Sequence, residues 1–409
     1  MPEPEDRPRL RPIEAYPVVE GGQQLLALRD PSGLSPHTRH LSPIGAAVVQ
    51  LCDGESTRDE ICAQFQRRYK QPLARATLDA LLAQLDDALL LDTPKFREHS
   101  ARVYGEYARL EARPPSHAGR SYPADGRDLR ALLDRCFEKP HGPGRPAAGS
   151  GALPRAIIAP HIDFPRGGPA YAWAYRALIA ATEEPELVVI FGTDHNGAEQ
   201  PFTLTRKHFD TPLGRVTTDG ELVRTLKERG GELLFASEYH HRDEHSIEFQ
   251  AVWLRYVYGE RMDRIPILPV LCGSLHDFIE RGGDPSEASD VGGFLGALAE
   301  AVKGRRVLWI AGADLAHVGP RFGDDKPLDA ADRDSLERRD QVTLGKVIAG
   351  DAGGWFEEIR RERDARRVCG VSPIYALLHA ARPGRGQLAA YGQCPADSGS
   401  VVSIASLVF

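Results

Sequence analysis

From Arg155 onward, short unbroken apolar runs alternate with longer segments of helical periodicity. Ala156-Ile157-Ile158-Ala159, Leu187 to Phe191, Ile265 to Leu271 and Val307 to Ala311 read as strands buried on both faces, because a half-exposed strand would alternate apolar with polar residues. Tyr171 to Ile179, Glu221 to Lys227, Ile247 to Tyr258 and Val291 to Lys303 read as helices between them. This alternation predicts an α/β sheet covered on both faces. Leu388 to Tyr391 and Val401 to Phe409 add two closing strands.

The first 95 residues have a different texture and read as a separate small module. Gln23 to Arg29 is a strand closed by the turn Asp30-Pro31-Ser32-Gly33. Ser42-Pro43 supplies an N-cap with proline at the first helical position, and that helix stops at Gly54. Thr57-Arg58-Asp59-Glu60 is a capping box opening a helix with Ile61, Phe65 and Tyr69 on one face. Leu78, Leu81, Leu82, Leu85 and Leu89 mark a third helix. One strand and three short helices suggest a winged-helix-like α+β module. Residues 96–111 read as an inter-domain helix or linker, and residues 112–409 as the α/β domain.

Charge narrows what the module does. Residues 1–100 hold 12 Lys/Arg against 15 Asp/Glu, and the whole chain carries −7. Neither balance suits a polyanion, so a docking or peptide-recognition role is expected rather than nucleic-acid binding. No apolar run approaches the roughly 18 residues that cross a bilayer, and the acidic start Met1 to Asp6 is unlike a secretory signal. A cytoplasmic protein without a membrane partner is expected. The six cysteines include no Cys-x-x-Cys pair and are too sparse for a disulfide scaffold.

The chemistry lies where the apolar runs end. The first leads to Pro160-His161-Ile162-Asp163, the second to Thr193-Asp194-His195, and the fourth to Asp314-Leu315-Ala316-His317. In an open α/β sheet the carboxyl ends of the strands are where ligands bind. Histidine and aspartate are residue types that ligate divalent metals or move protons near neutral pH. Nine of the 14 histidines lie beyond residue 155, so some would fall at strand ends by chance. Two further elements leave alternatives open. Asp243-Glu244-His245-Ser246-Ile247-Glu248 is either an acidic helix start or a crevice edge carrying His245 and Glu248, with His240 and His241 beside it on a solvated loop. Cys369, before the apolar Tyr375 to Ala380 helix, is either a buried thiol or one whose thiolate the helix terminus favours.

Eight blocks carry a resemblance to a known family. They are Ser116-His117-Ala118-Gly119-Arg120-Ser121-Tyr122, Ala156 to His161, Gly192-Thr193-Asp194-His195, Thr211-Pro212-Leu213-Gly214, Glu244 to Glu248, Pro269-Val270-Leu271, Asp314 to His317, and Cys369 to Ile374. In this order they resemble the Memo family, whose bacterial members are called AmmeMemoRadiSam system protein B. The stretch from Leu41 to Gly54, continuing into Leu90-Leu91, also resembles PqqD-like peptide-recognition modules.

The Memo resemblance implies a class III extradiol dioxygenase-like sandwich with a mononuclear metal on His161, His195 and Cys369. It further implies a proton-transferring His317 oriented by Asp314, with His245 lining the pocket. Where the family commonly has Ala-Gly-Tyr and Pro-Ser, this chain has Ile162-Asp163-Phe164 and Thr193-Asp194, which makes Asp163 and Asp194 additional candidate ligands. Two histidines with a carboxylate are an iron(II) set. Iron(II) is therefore the expected metal, with zinc or copper as alternatives, and an oxidoreductase of dioxygenase-like fold acting on a small-molecule or peptide substrate is the expected activity. A metal- or peptide-binding module without catalysis and a zinc hydrolase are the other readings. The name of the bacterial members implies radical-SAM and AMMECR-type partners.

Overall fold

The computed structural model describes residues 6–36 and 38–409, so most of the acidic start, Met1 to Glu5, lies outside the described residues, as does His37. Two units divide the chain between Arg109 and Leu110.

In the first unit, β1 (Glu14–Glu20), β2 (Gln23–Arg29) and β3 (Arg39–Leu41) form an antiparallel sheet in that order. Four helices follow: α1 (Pro43–Val49), α2 (Arg58–Tyr69), α3 (Arg75–Asp87) and α4 (Pro94–Arg109). The caps are those the sequence encodes. The Ser42 side chain accepts the Gly45 amide, and Thr57 and Glu60 close a reciprocal capping box. Leu28, Val48, Ile61, Phe65, Leu78 and Leu82 share one core. The segment 96–111 is mostly the last helix of this unit rather than irregular chain. The β1 strand has no counterpart in the periodicity because it is exposed along most of its length, so no buried face leaves an apolar signature.

The second unit contains β4 (Ala112–Arg113), α5 (Gly126–Arg135), β5 (Ala156–Ala159), α6 (Phe164–Ala180), β6 (Leu187–Thr193), β7 (Phe202–Leu204) and β8 (His208–Phe209). It continues with α7 (Gly220–Gly230), α8 (His245–Tyr258), β9 (Ile267–Cys272), α9 (His276–Arg281), α10 (Gly292–Ala301), β10 (Val307–Gly312) and β11 (His317–Val318). The last elements are α11 (Ala330–Ile348), α12 (Ala352–Arg361), α13 (Val371–Ala381), β12 (Gln387–Pro395) and β13 (Val401–Val408). The main sheet runs β11-β13-β5-β10-β6-β9-β7, and β12 also pairs with β13. At its centre β5, β10, β6 and β9 are parallel, so their carboxyl ends share one edge.

Side chains alternate between the two faces of each central strand, and both faces are buried. Leu187, Val189 and Phe191 join a core with α7, α10, α12 and α13, while Val188 and Ile190 join one with α5, α6 and α8. In the second core Trp253 stacks on Tyr171 and Tyr175 at ring separations of 5.5 and 5.3 Å. The unbroken apolar runs in the sequence are the record of this two-sided burial. Pro269 lies inside β9 without breaking the sheet, because the β7 ladder reaches back only to Val270. Among the described residues no helix is long and apolar enough to cross a membrane.

Candidate metal centre

Two glycines set the geometry at the sheet's carboxyl edge. A Cβ on Gly192 would stand 2.5 Å from Ser246 Oγ and 2.6 Å from Ile247 Cγ1, and one on Gly312 would stand 2.4 Å from the Ser246 carbonyl. Only the missing side chains let the first turn of α8 sit against the ends of β6 and β10. That contact carries His245 from α8 to the histidines leaving β5 and β6.

The rings of His161, His195 and His245 form a triangle with centroid separations of 5.0, 5.1 and 4.8 Å. Each offers a nitrogen, and these atoms lie within 4.8 Å of one another, the one such group among the described residues. The other ring nitrogens are occupied. His161 Nδ1 donates to the Gly312 carbonyl at 2.9 Å. His195 Nδ1 lies 3.0 Å from both Glu244 oxygens, and His245 Nδ1 lies 3.2 Å from Oε1 of the same carboxylate. A carbonyl or carboxylate only accepts, so each Nδ1 carries the proton and each Nε2 keeps its lone pair, that of His161 facing the Cys369 thiol. Engaging the second nitrogen in this way is how proteins prepare histidine for a metal.

Glu244 is therefore central. It is 3 % exposed, caps α8 through the Ser246 amide, and also accepts the His195 amide at 2.9 Å. Burial pushes its carboxyl up, but the charges of His195 and His245 and their hydrogen bonds outweigh burial and hold it well below the usual range. Burial, then the neighbouring His195 and His245, pushes His161 well below an ordinary histidine. At His195 burial acts downward, but the Glu244 charge prevails and its pKa is raised.

Cys369 stands beside this triangle, its Sγ 3.2 Å from His161 Nε2. Burial and the Asp314 charge raise its thiol well above the ordinary value. Asp314 accepts the His161 and Ile162 amides at 2.8 and 3.3 Å and is pushed up to about 7 by burial. It thus fixes the backbone of the first histidine. It does not orient His317, whose Nδ1 lies 3.2 Å from the Leu315 carbonyl and whose ring packs on Phe322. Burial lowers His317 to about 4.

The structure separates the remaining sequence candidates. Asp163 caps α6 through the Arg166 amide and pairs with the Arg166 side chain. Asp194 has its carboxylate fully buried against His240 Nδ1 at 2.9 Å. Neither joins the three imidazoles; the third member is His245, expected as a catalytic residue lining the pocket, while Cys369, expected as the third ligand, stands beside the group. The solvated loop expected for His240 and His241 is also overturned. His240 is the partner of Asp194, and His241 is 1 % exposed and bonded to the Thr203 carbonyl. Glu248 turns away from the triangle and binds Arg113, Tyr122, Ser116 and the His117 amide. That network explains why the Ser116 to Tyr122 block matters: it encloses a buried carboxylate one turn along α8 from His245. Sequence reasoning missed Glu244 as a site residue, although its position directly before a histidine at a helix start was the available signal.

The family model for Memo-like protein matches residues 113–408. A second, for coenzyme PQQ synthesis protein D (PqqD), matches residues 33–91 in the first unit. A MEMO1 family protein of Methanopyrus kandleri is 32% identical over 307 residues, covering 73% of this chain and 98% of its own. A MEMO1 family protein of Desulfurococcus amylolyticus is 28% identical over 310 residues, with 73% and 99% covered. One from Aquifex aeolicus aligns across both units, at 24% identity over 409 residues, 98% of this chain and all of its own. By the match over most of its length and by these relatives, the chain belongs to the Memo-like family.

Proposed function

We propose that the second unit holds one divalent metal ion on His161, His195 and His245, with Cys369 as an adjacent sulfur donor, and that it is an iron(II)-dependent oxidoreductase of extradiol dioxygenase-like fold. The observation that carries the metal reading is the convergence of three imidazoles whose Nδ1 protons are all accounted for, leaving three lone pairs within 4.8 Å. Imidazole with a nearby thiol fits a first-row divalent metal rather than magnesium or calcium. Bound there, iron(II) would supply Lewis acidity and one-electron chemistry.

The protein's own part follows from the geometry. Glu244 holds two imidazoles in one tautomer, and Asp314 anchors the turn that presents His161. His317 is neutral near pH 7, the form in which an imidazole can take a proton from a substrate hydroxyl. A second reading, a zinc hydrolase, is favoured by the donor set itself, since three histidines with an open position also suit zinc. The first unit, with its PqqD-like match, serves in this proposal as the docking site for a peptide or for radical-SAM and AMMECR-type partners.

Metal analysis of anaerobically purified protein tests the reading. Near-stoichiometric iron with oxygen uptake supports it, and zinc with ester or amide turnover replaces it with the hydrolase. Failure to bind any metal after reconstitution leaves a binding module. Co-purification with radical-SAM and AMMECR-type proteins tests the partners.

A further inference from the structure

A cleft of about 260 Å³ beside Cys369 is lined by the ends of β6 and β9 and by the loop entering α13. We infer that it is an oxyanion subsite, taking the carboxylate of a small substrate next to the metal centre; this rests on the metal-centre reading above.

The cleft is built around an uncapped helix start. No side chain caps α13, an 11-residue helix. The Gly370 and Val371 amides are bonded to Asp314 and Val368, and Pro373 has no N–H. Ser372 remains. It is 8 % exposed and lines the cleft, and neither its amide nor its hydroxyl has a partner among the described residues. Ser372 therefore presents an unpaired hydroxyl and amide at the cleft wall, free to meet a ligand's oxygen. Helix starts favour anions through the same amides.

Arg367 adds a fixed cation to the lining. Its Nε donates to the His317 carbonyl at 3.0 Å and its Nη2 pairs with Asp324, while Nη1 has no protein partner. Two carboxylates also line the cleft, and both are engaged elsewhere. Asp194 is bonded to His240, and Asp364 Oδ1 accepts the Val368 amide at 2.8 Å. His276 at the rim is paired with Glu280. Ser372 and Arg367 both offer donors to the cleft, and what they fit is an oxygen anion. Cys369 belongs to both places, touching His161 and lining the cleft. A carboxylate held there would bring the attached carbon skeleton to the metal centre.

Iodoacetate and iodoacetamide, nearly equal in size and differing in charge, report on such a subsite. The same thiolate displaces iodide from either reagent, so their rate ratio at one cysteine cancels its thiolate fraction. The full-length, chelator-treated protein is alkylated with each reagent and the rates at Cys369 and at the half-buried Cys62 are read by peptide mass spectrometry. The iodoacetate-to-iodoacetamide ratio is expected to be about tenfold higher at Cys369 than at Cys62, the factor for one charged hydrogen bond. It should fall to the Cys62 value in Arg367→Gln and by about threefold in Ser372→Ala, where a neutral donor is lost. Equal ratios at the two cysteines, or a preference unchanged in both variants, would overturn the subsite. Metal titration of the same protein separates the two ideas. A preference without metal binding removes the metal reading alone, and stoichiometric metal without a preference removes the subsite alone.

Discussion

Replacing Glu244 with glutamine changes one hydrogen-bonding atom and almost no volume, yet it should cost the protein much of its metal affinity. The carboxylate now serves His195 Nδ1 and amide, His245 Nδ1 and the Ser246 amide, at 2.9–3.2 Å. Glutamine keeps one accepting oxygen and presents an NH₂ group in place of the other. That NH₂ cannot face an Nδ1–H, so at least one imidazole must flip its ring or move its proton to Nε2, the atom needed by the metal. Loss of such an outer contact typically weakens metal binding about 10–100-fold, equivalent to roughly 1.4–2.7 kcal/mol at tenfold per 1.4 kcal/mol. Competition with a chromophoric chelator, under anaerobic conditions for iron(II) and in air for zinc, measures this directly. Thermal melting of the metal-free variant checks that α8 keeps its start, since glutamine can still cap through its remaining oxygen. A dissociation constant within about twofold of the parent value would refute the assignment of Glu244 as the residue that sets both tautomers.

The other expectations are shorter. His161→Ala, His195→Ala and His245→Ala should each abolish stoichiometric metal binding in a folded protein, Cys369→Ser should weaken it, and Asp163→Asn should leave it unchanged; elemental analysis after reconstitution decides among them. Gly192→Ala forces a Cβ to 2.5 Å from Ser246 Oγ, so it should lower stability by about 1–3 kcal/mol by overpacking and loosen the metal site, read by denaturant melts and the same titration. His241 is buried neutral, held down by burial at about 4 against an ordinary value of 6.5. Between those pH values the unfolded chain binds the extra proton, so stability falls as pH drops from 6.5 towards 4. In His241→Gln the slope of stability against pH in that window should shrink by about one proton, roughly 1.4 kcal/mol per pH unit, and an unchanged slope would show that His241 is not buried neutral. At His195 burial is outweighed by the Glu244 charge, which lifts the pKa above 6.5. Metal binding should therefore weaken as pH falls through that raised value, with proton release on binding measurable in weakly buffered solution.

Much of the second unit is legible in the chain. Residues 156–159 are a strand with the bounds that their apolar run predicts, and Leu187, Val307 and Val401 begin strands where theirs begin. Continuous burial writes itself into composition, so a strand covered on both faces is hard to hide. The same logic places His161 and His195 at a common edge, because parallel strands have their carboxyl ends together. The exposed strand β1 leaves no such trace, and neither does the polar α11, whose outward face carries Arg338, Arg339 and Val342.

The choice among the nearby donors was beyond the reach of spacing. Asp163 and Asp194 are closer in sequence to the two histidines than His245 is, but each finds a local partner, Arg166 or His240, that takes its charge. His245 arrives from a different element and meets the others only because Gly192 and Gly312 let α8 lie against the strand ends. A linear pattern records which residues are buried and how often. It does not record how closely two backbones approach, and that distance is what selects three imidazoles and leaves the carboxylates aside.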